Sequence, residues 1–331
     1  MANKMSWQER RVFITGATGF VGSWLLNELV KRGAHVTILV RDIHPMIFRK
    51  LLLSNEKPES IVLGRLEDFN LIERIINEYE IEVCFHLAAQ SIVGVANRNP
   101  LSTFRSNIAG TWNLLEVCRR SDIVRCLIVA SSDKAYGEPK SLPITEDHPL
   151  LANYPYDASK ACVDILARTY HKTYGLPVAV SRFSNIYGGG DLNFSRIIPG
   201  TIQSVLLNRN PIIRSDGSPI RDYIYISDVI SAYIRLAENI ERTDVKGQPF
   251  NFSTSKPMSV LQIVEKIIEV SGRTHLEPCI LRQGSPEIQS QYLSPEKARR
   301  ILNWTAKVQI EKGLEETTKW FDENRALWVK K

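Results

Sequence analysis

The strongest constraint on this chain lies near its start. A short apolar run, Arg11-Val-Phe-Ile-Thr15, leads directly into Gly16-Ala-Thr-Gly19-Phe-Val-Gly22, and a helical pattern follows near Val21–Lys31. Glycines spaced G-x-x-G-x-x-G between a strand and a helix have a physical purpose. They permit a tight turn, let the backbone approach a pyrophosphate, and let the helix pack close to the strand. The phosphate then meets the free N–H groups and the positive end of the helix. The strand before and the helix after are what give the spacing its weight.

The alternation continues. β-branched runs recur at Val12–Thr15, Val36–Val40, Ile61–Leu63, Val83–Leu87, Cys126–Ala130 and Val178–Ser181, with helical patterns near Leu71–Tyr79, Thr103–Arg119 and Ala158–Tyr174 between them. Continuous apolar strands are buried on both faces, so the pattern predicts a parallel sheet covered by helices, a doubly wound Rossmann-type α/β fold. Beyond about residue 182 the pattern loosens. Gly188-Gly189-Gly190 and 208–219 read as loops. Helical patterns return near Ile197–Leu207, Ser227–Glu238, Val260–Val270, Pro295–Leu302 and Ile310–Phe321. We therefore expect a cofactor domain over 1–182, with a return to it near 223–252, and a smaller α/β substrate lobe over 183–331. There is no internal repeat.

Length and composition narrow the class. The 331 residues suit about two domains, and 44% apolar with 24% charged residues is ordinary for a soluble globular chain. Apolar stretches such as Cys126–Ala130 are far short of a membrane span, and the polar start 1–11 does not read as a secretory leader. Five cysteines without a CxxC pair read as reduced, mostly buried thiols of a cytoplasmic protein. The net charge is +6, and residues 1–50 hold eight Lys/Arg against three Asp/Glu. No block of basic residues interleaved with aromatics accompanies it, which argues against nucleic acid and for dispersed arginines that hold a phosphorylated small molecule. His35, His44, His148, His171 and His275 show no ligand spacing, so no metal is expected, and His86 reads as part of a strand-to-loop wall.

The chemistry is carried by a second cluster. Tyr156 and Lys160 stand four apart at the start of a helical run and share a face. An ammonium beside a phenol lowers the pKa of the phenol, making Tyr156 a general base or acid for a carbinol–ketone hydride transfer. Ser131-Ser132-Asp133-Lys134 follows the fifth strand, at the carboxyl edge where parallel sheets bind ligands, and Ser132 suits the same substrate oxygen.

Taken in order, Thr15–Gly22, His86-Leu87-Ala88-Ala89-Gln90, Asn107-Ile-Ala-Gly110-Thr111, Ser131-Ser132, Tyr156-Asp-Ala-Ser-Lys160, Arg182-Phe-Ser-Asn185-Ile-Tyr187-Gly188 and Arg221-Asp-Tyr-Ile-Tyr-Ile-Ser-Asp228 span most of the chain. The sequence resembles the extended short-chain dehydrogenase/reductases that act on nucleotide sugars. Asp133-Lys134 resembles the acid–base pair of the nucleotide-sugar 4,6-dehydratases, most closely the CDP-glucose type. Gly188-Gly-Gly-Asp191 leading to Arg196-Ile-Ile-Pro199, and Pro211-Ile-Ile-Arg214, look like that type as well, whereas Arg221-Asp-Tyr is general to the wider family.

The resemblance implies C4 oxidation, loss of water across C5 and C6, and return of the hydride to C6, on a tightly held, regenerated dinucleotide. It implies Ser132, Asp133, Lys134, Tyr156 and Lys160 as the catalytic set. Tyr156 takes the 4-hydroxyl proton, and Asp133 donates to the departing 6-hydroxyl. Lys134, or a water it positions, removes the C5 proton. A lysine acts as a base only when neutral, a form that burial or a cation such as Lys160 favours.

For the cofactor it implies Gly16, Thr18, Gly19, Phe20, Val21, Gly22, Arg41, Leu66, Leu87, Ala88, Ala89 and Asn107, with Tyr156 and Lys160. NAD and NADP both remain open. Val40 stands where an NAD enzyme usually has an acid, and Arg41 and Arg65 could meet a 2′-phosphate. Gln90, Asn185, Arg196, Arg214 and Arg221 are the candidates for the nucleotide diphosphate sugar. A 4-epimerase or 4-reductase of the same family is the nearest rival reading, and a non-catalytic dinucleotide-binding regulator the rival from another class. By analogy we expect a homodimer through the helices near Thr103–Arg119 and Asp157–Tyr174, where Leu114, Leu115, Ile165 and Leu166 suit an interface and a core equally.

Overall fold

The structure, a computed structural model, describes residues 6–42, 56–283 and 288–329; His44 lies outside them. Seven strands form one sheet: β1 (Arg11–Thr15), β2 (His35–Val40), β3 (Ser60–Leu63), β4 (Val83–His86), β5 (Cys126–Ala130), β6 (Val178–Phe183) and β7 (Pro249–Phe252). Their spatial order is β7-β6-β5-β4-β1-β2-β3. Every neighbouring pair is parallel. The first six follow the apolar runs of the sequence to within two residues. The seventh arrives from far along the chain and pairs with β6.

Both faces are covered, as continuous apolar strands require. The helices used below are α1 (Phe20–Lys31), α2 (Phe69–Glu78), α3 (Gly110–Arg120), α4 (Pro155–Tyr174) and α5 (Ile226–Glu238). Val12, Ile14, Val83, Phe85 and Ile128 point into a core shared with α1 and α5. Phe13, Cys84, Leu127 and Val129 point the other way, into a core shared with α2, α3 and α4. This is the two-residue period of a strand. Each fully buried Ile, Leu or Phe contributes about 2–3 kcal/mol of transfer free energy. Local signals place the helix ends. The Asp68 side chain accepts from Leu71 N at 3.1 Å to cap α2, while α4 opens with Pro155 in its first turn and stops at left-handed Gly175.

One expected helix is not continuous. The pattern at Thr103–Arg119 divides into a short helix Pro100–Phe104, a π-helical turn Arg105–Ala109, and α3. A separate helix Val93–Arg98 precedes them. Asn99 starts the short helix by accepting from Ser102 N at 3.1 Å, ahead of Pro100. The extra residue of the π turn is part of the geometry that carries Asn107 inward, where it is 1% exposed.

Outside the main sheet, Asn185–Tyr187 pairs in parallel with Tyr223–Tyr225, and Ile220–Arg221 lies between Met258–Ser259 and Ser290–Gln291. Helices Ile197–Leu206, Val260–Val270 and Ile310–Glu323 contribute Ile202, Val205, Ile263, Val264, Leu314 and Phe321 to the core that covers one sheet face. Trp24 of α1 reaches into this part of the chain, donating Nε1–H to Gly189 O at 2.8 Å. All five cysteines are free; Cys84, Cys118 and Cys126 are buried, whereas Cys162 and Cys279 are exposed. No described helix is long and apolar enough to cross a membrane.

Candidate active site

Between β1 and β4 the order in which strands are added to the sheet reverses, and open parallel sheets bind ligands in the crevice beyond such a point. The turn after β1 and the loop after β4 meet there. Ala88 N donates to Thr15 Oγ1 at 3.2 Å. Gly16 has φ +77°, and a Cβ on it would stand 2.7 Å from Ala88 N; a Cβ on Gly22 would overlap Gly16 O. Only glycine fits either position. Helix α1 starts at Phe20 with Gly19 as its N-cap and no side-chain cap. Its first amides therefore remain available to an anion. Thr18, Phe20 and Val21 belong to the same turn. The cradle fits a dinucleotide pyrophosphate.

The neighbouring residues frame this crevice. Leu66 is buried after β3, and its carbonyl accepts from Asn113 Nδ2 at 3.0 Å. Leu87, Ala88 and Ala89 form the loop after β4. Asn107 Oδ1 accepts from Gln90 N at 2.7 Å and its Nδ2 donates to Ser159 Oγ at 2.8 Å, so Asn107 joins this loop to α4. Arg41, at the end of β2, is half exposed and paired with Asp42 at 2.5 Å. His86 sits between the hydroxyls of Thr15 and Thr111, 2.8 Å from each, and burial pushes its pKa down to about 3. It is neutral throughout the physiological range.

The second cluster is assembled by β5 and α4. After Ala130 the chain enters a 3₁₀ turn, Asp133–Tyr136, whose N-cap Ser132 accepts from Lys134 N at 3.2 Å. Ser132 Oγ also donates to Asp133 Oδ1 at 3.0 Å and is hydrogen-bonded to Tyr156. Asp133 is 4% exposed, and Lys134 Nζ reaches its Oδ2 at 3.3 Å. Lys160, one turn along α4 from Tyr156, donates from Nζ to Ala130 O at 2.6 Å.

Charge in this cluster differs in one respect from the sequence reading. Burial pushes Tyr156 up to about 12, with Asp133 and Asp157 adding to the rise; the Ser132 hydrogen bond and the Arg196 charge oppose it. Lys160 itself falls to about 8 through desolvation. The Tyr156 phenol is thus not lowered here by Lys160, because burial outweighs the opposing influences. Likewise, the partners described for Lys134 are acceptors rather than a neighbouring cation.

Of the substrate candidates, Arg196 lies nearest the chemistry. Its charge acts on Tyr156, and it pairs with buried Asp191 at 2.9 Å. Asn185 Nδ2 donates to Asp222 O at 3.3 Å, and Arg221 is buried, with Nη1 on Ile220 O at 2.8 Å. Arg214 is exposed beyond strand Ile212–Ile213, where its carbonyl accepts from Gln283 N at 2.6 Å. No hydrogen bond or ion pair described here joins its side chain to the catalytic cluster.

Two residues escaped the sequence reading. Gln291 is buried against the Asp133–Lys134 turn and bonds to both residues. It sits on a two-residue strand that no periodicity announces. Asp157 follows Tyr156 directly, and burial together with Asp133 raises it to about 6, although Lys134 pulls the other way. Its environment, not its position beside Tyr156, makes it notable.

The sign of that shift sets a prediction. A carboxyl raised in the folded state contributes stability that is complete below its ordinary value of 3.8 and is lost as pH rises through about 6. Asp157→Asn should therefore gain stability relative to wild type across that window, by on the order of 2 kcal/mol above it. Thermal melts at pH 5 and pH 8 read this difference, and equal effects at both would exclude it. Among the described residues no three His, Cys, Asp or Glu side chains come together as a metal site.

The geometry can be compared with known proteins. A family model described as GDP-mannose 4,6 dehydratase matches residues 13–317. The chain belongs to that family. Within the GDP-mannose 4,6-dehydratase family, it is 31% identical to a putative UDP-glucose 4-epimerase of Methanocaldococcus jannaschii, over 95% of this chain and 99% of the relative. It is 30% identical to the CDP-glucose 4,6-dehydratase of Salmonella typhimurium, over 97% of this chain and 92% of the relative. A trifunctional UDP-glucose 4,6-dehydratase, epimerase and reductase of Arabidopsis thaliana is 29% identical over 98% of this chain. The chain spans about half of that relative, 49% of its length. The crystal structure of dTDP-glucose 4,6-dehydratase from Bacillus anthracis in complex with NAD superimposes with a TM-score of 0.83 at 25% identity, covering 96% of this chain and 98% of that one. Members of the family are nucleotide-sugar dehydratases and epimerases.

Proposed function

We propose that this family member is an NAD(P)-dependent nucleotide-sugar 4,6-dehydratase, with CDP-glucose the favoured substrate. The observation that carries the reading is the Asp133–Lys134 pair. It lies beside Ser132 and Tyr156, with its carboxylate buried and its partners 3.3 Å apart. A simple oxidation or epimerisation at C4 has no use for an acid and a base at this place.

A bound nicotinamide dinucleotide would supply the hydride acceptor at C4 and the hydride donor at C6. The Gly16–Gly22 turn, the Leu87–Ala89 loop and Lys160 would hold it. Ser132 and Tyr156 bind the sugar 4-oxygen, and Tyr156 takes its proton as phenolate, the form that the Ser132 hydrogen bond and the Arg196 charge favour against burial. The 4-ketone then acidifies the C5 proton. Asp133 and Lys134 stand close enough, Nζ to Oδ2 at 3.3 Å, for a proton to pass between them. As carboxylic acid and amine they are the acid and base an elimination needs; as carboxylate and ammonium they are an ion pair. Lys134 takes the C5 proton, Asp133 gives its proton to the departing 6-hydroxyl, and water leaves. This step ends in the ion pair; Nζ would return its proton to C5 as hydride reaches C6, and the proton held by Tyr156 would pass through Ser132 Oγ to Asp133, which resets the site.

Mass spectrometry of the protein incubated with CDP-, dTDP-, UDP- and GDP-hexoses tests the reading. We expect loss of one water from CDP-glucose, the product being a 4-keto-6-deoxy sugar. Inversion at C4 without water loss would overturn it in favour of a 4-epimerase, the reading that the Methanocaldococcus jannaschii relative supports. Denaturing the same protein releases whichever of NAD and NADP it carries.

A homodimer and a cytoplasmic location belong to the same proposal. Leu114 and Leu115 of α3 are buried in the core, whereas Trp112 of α3 and Ile165 of α4 are each 49% exposed. Two apolar side chains on adjacent helices suit a second copy of the chain. Light scattering should report twice the chain mass, falling to one chain mass for Ile165→Glu; a monomeric wild type would refute the dimer.

A further inference from the structure

We propose that Gln291 is the positioning residue that holds Lys134, and with it the Asp133–Lys134 turn, in working geometry. The use made of that geometry rests on the dehydratase reading; the placement does not. Gln291 is 1% exposed. Its Oε1 accepts from Lys134 Nζ. Its Nε2 donates to Asp133 O at 3.1 Å and to Gly137 O at 3.4 Å. The amide is thereby fully engaged, with the oxygen on the ammonium and both N–H groups on backbone carbonyls flanking the turn. The reverse orientation would set donors against the ammonium and an acceptor against two carbonyls.

The residue is anchored on both sides. Gln291 lies in parallel register with Arg221. Just beyond it, Ile144 N donates to Tyr292 O at 3.0 Å and Ser294 N to Ile144 O at 2.8 Å. Leu293 packs with Ile144 and Tyr136, the last residue of the 3₁₀ turn. A distant segment is therefore stitched to the loop that follows the catalytic turn, and Gln291 is the side chain it delivers into the turn. Lys134 is paired with Asp133, and its charge also reaches Asp157. Gln291 adds a neutral acceptor that fixes where the amine points without adding a third carboxylate.

The test uses full-length, cofactor-loaded protein and two variants. Gln291→Leu removes the acceptor. Gln291→Glu keeps an acceptor but adds charge and gives up both donors. Competitive labelling with acetic anhydride across pH, read on the Lys134 peptide by mass spectrometry, follows the titration of this amine without reference to catalysis. We expect the labelling midpoint to move down by about one pH unit in Gln291→Leu and up by a similar amount in Gln291→Glu, roughly tenfold in free-amine fraction each way. The pH limb of water loss should move with it, and KM for the nucleotide sugar should hold. Labelling that matches wild type in both variants would overturn the inference. Shifted labelling, in a wild-type protein that releases no water from any of the sugars, would uphold the role of Gln291 and sink the dehydratase reading.

Discussion

Replacing Lys134 with Met should abolish water loss while the protein still binds dinucleotide and nucleotide sugar. Methionine keeps the length and the apolar stem of lysine but has no proton to take or give. The proposed elimination needs a base at C5 and an acid at O6 at the same time, and the variant leaves Asp133 without its proton-sharing partner. A positioned general acid–base group is worth about 10²–10⁴ in rate, so product formation should fall by at least that range. Ser132, Tyr156 and Lys160 keep their contacts, because none of them bonds to Nζ of Lys134. Mass spectrometry of the sugar product, alongside calorimetric titration with CDP, separates lost chemistry from lost binding. Full dehydration by the variant would remove Lys134 from the mechanism.

The largest expected loss of stability lies beside the site. Arg182 is 1% exposed and its Nε and Nη2 each bond to a different oxygen of Asp164 at 2.7 Å; Asp164 is fully buried. Nη1 bonds to Tyr136 Oη at 2.5 Å, and the guanidinium lies over the Tyr136 ring. Removing one partner of such a pair strands a charge in an apolar interior. Asp164→Ala should therefore cost about 3–5 kcal/mol. For a chain of this size that lowers the melting temperature by roughly 4–7 °C. Replacing both partners by apolar residues of similar volume, as in Asp164→Leu with Arg182→Met, should recover much of the loss, because a buried ion pair is costly to break but contributes little net. Thermal melts of the single and double variants decide this. A melting temperature for Asp164→Ala within 2 °C of wild type, well under the roughly 4–7 °C expected from the same scaling, would contradict it.

Much of this was legible in the sequence because the signals are local. A strand buried on both faces must be written as a continuous apolar run, so β1 to β6 stand out. Gly16 and Gly22 are required by backbone collisions that no other residue avoids, so the turn stands out too. Tyr156 and Lys160 share one helix, and their spacing is itself the geometry. What stayed hidden depends on tertiary contact. Gln291 acquires its role only when a two-residue strand is brought to Asp133, more than 150 residues earlier, with Gln291 Nε2 on Asp133 O. The division of the segment around Asn107 into short helix, π turn and α3 comes from a cap at Asn99 and a local widening that a 3.6-residue period does not record. The expectation that Lys160 would lower Tyr156 rested on charge alone and omitted desolvation, which prevails here. Asp157 has no sequence signature at all; only its burial beside Asp133 makes it unusual.

The pairing of β6 with β7 also has a consequence for the newborn chain. Until Phe252 has left the ribosome, β6 is an unprotected border of an otherwise assembled sheet, displaying backbone groups that another chain could match. The Ser132 and Tyr156 hydroxyls can already be in place at that moment, since β5 and α4 come before it. Gln291 comes later still. A chain halted during synthesis between Phe252 and Gln291 would thus have all seven strands and the Gly16–Gly22 turn, yet its Lys134 would keep only the Asp133 contact. On the proposed function, the residues of the cofactor turn and of the catalytic set therefore leave the ribosome well before the side chain that positions Lys134.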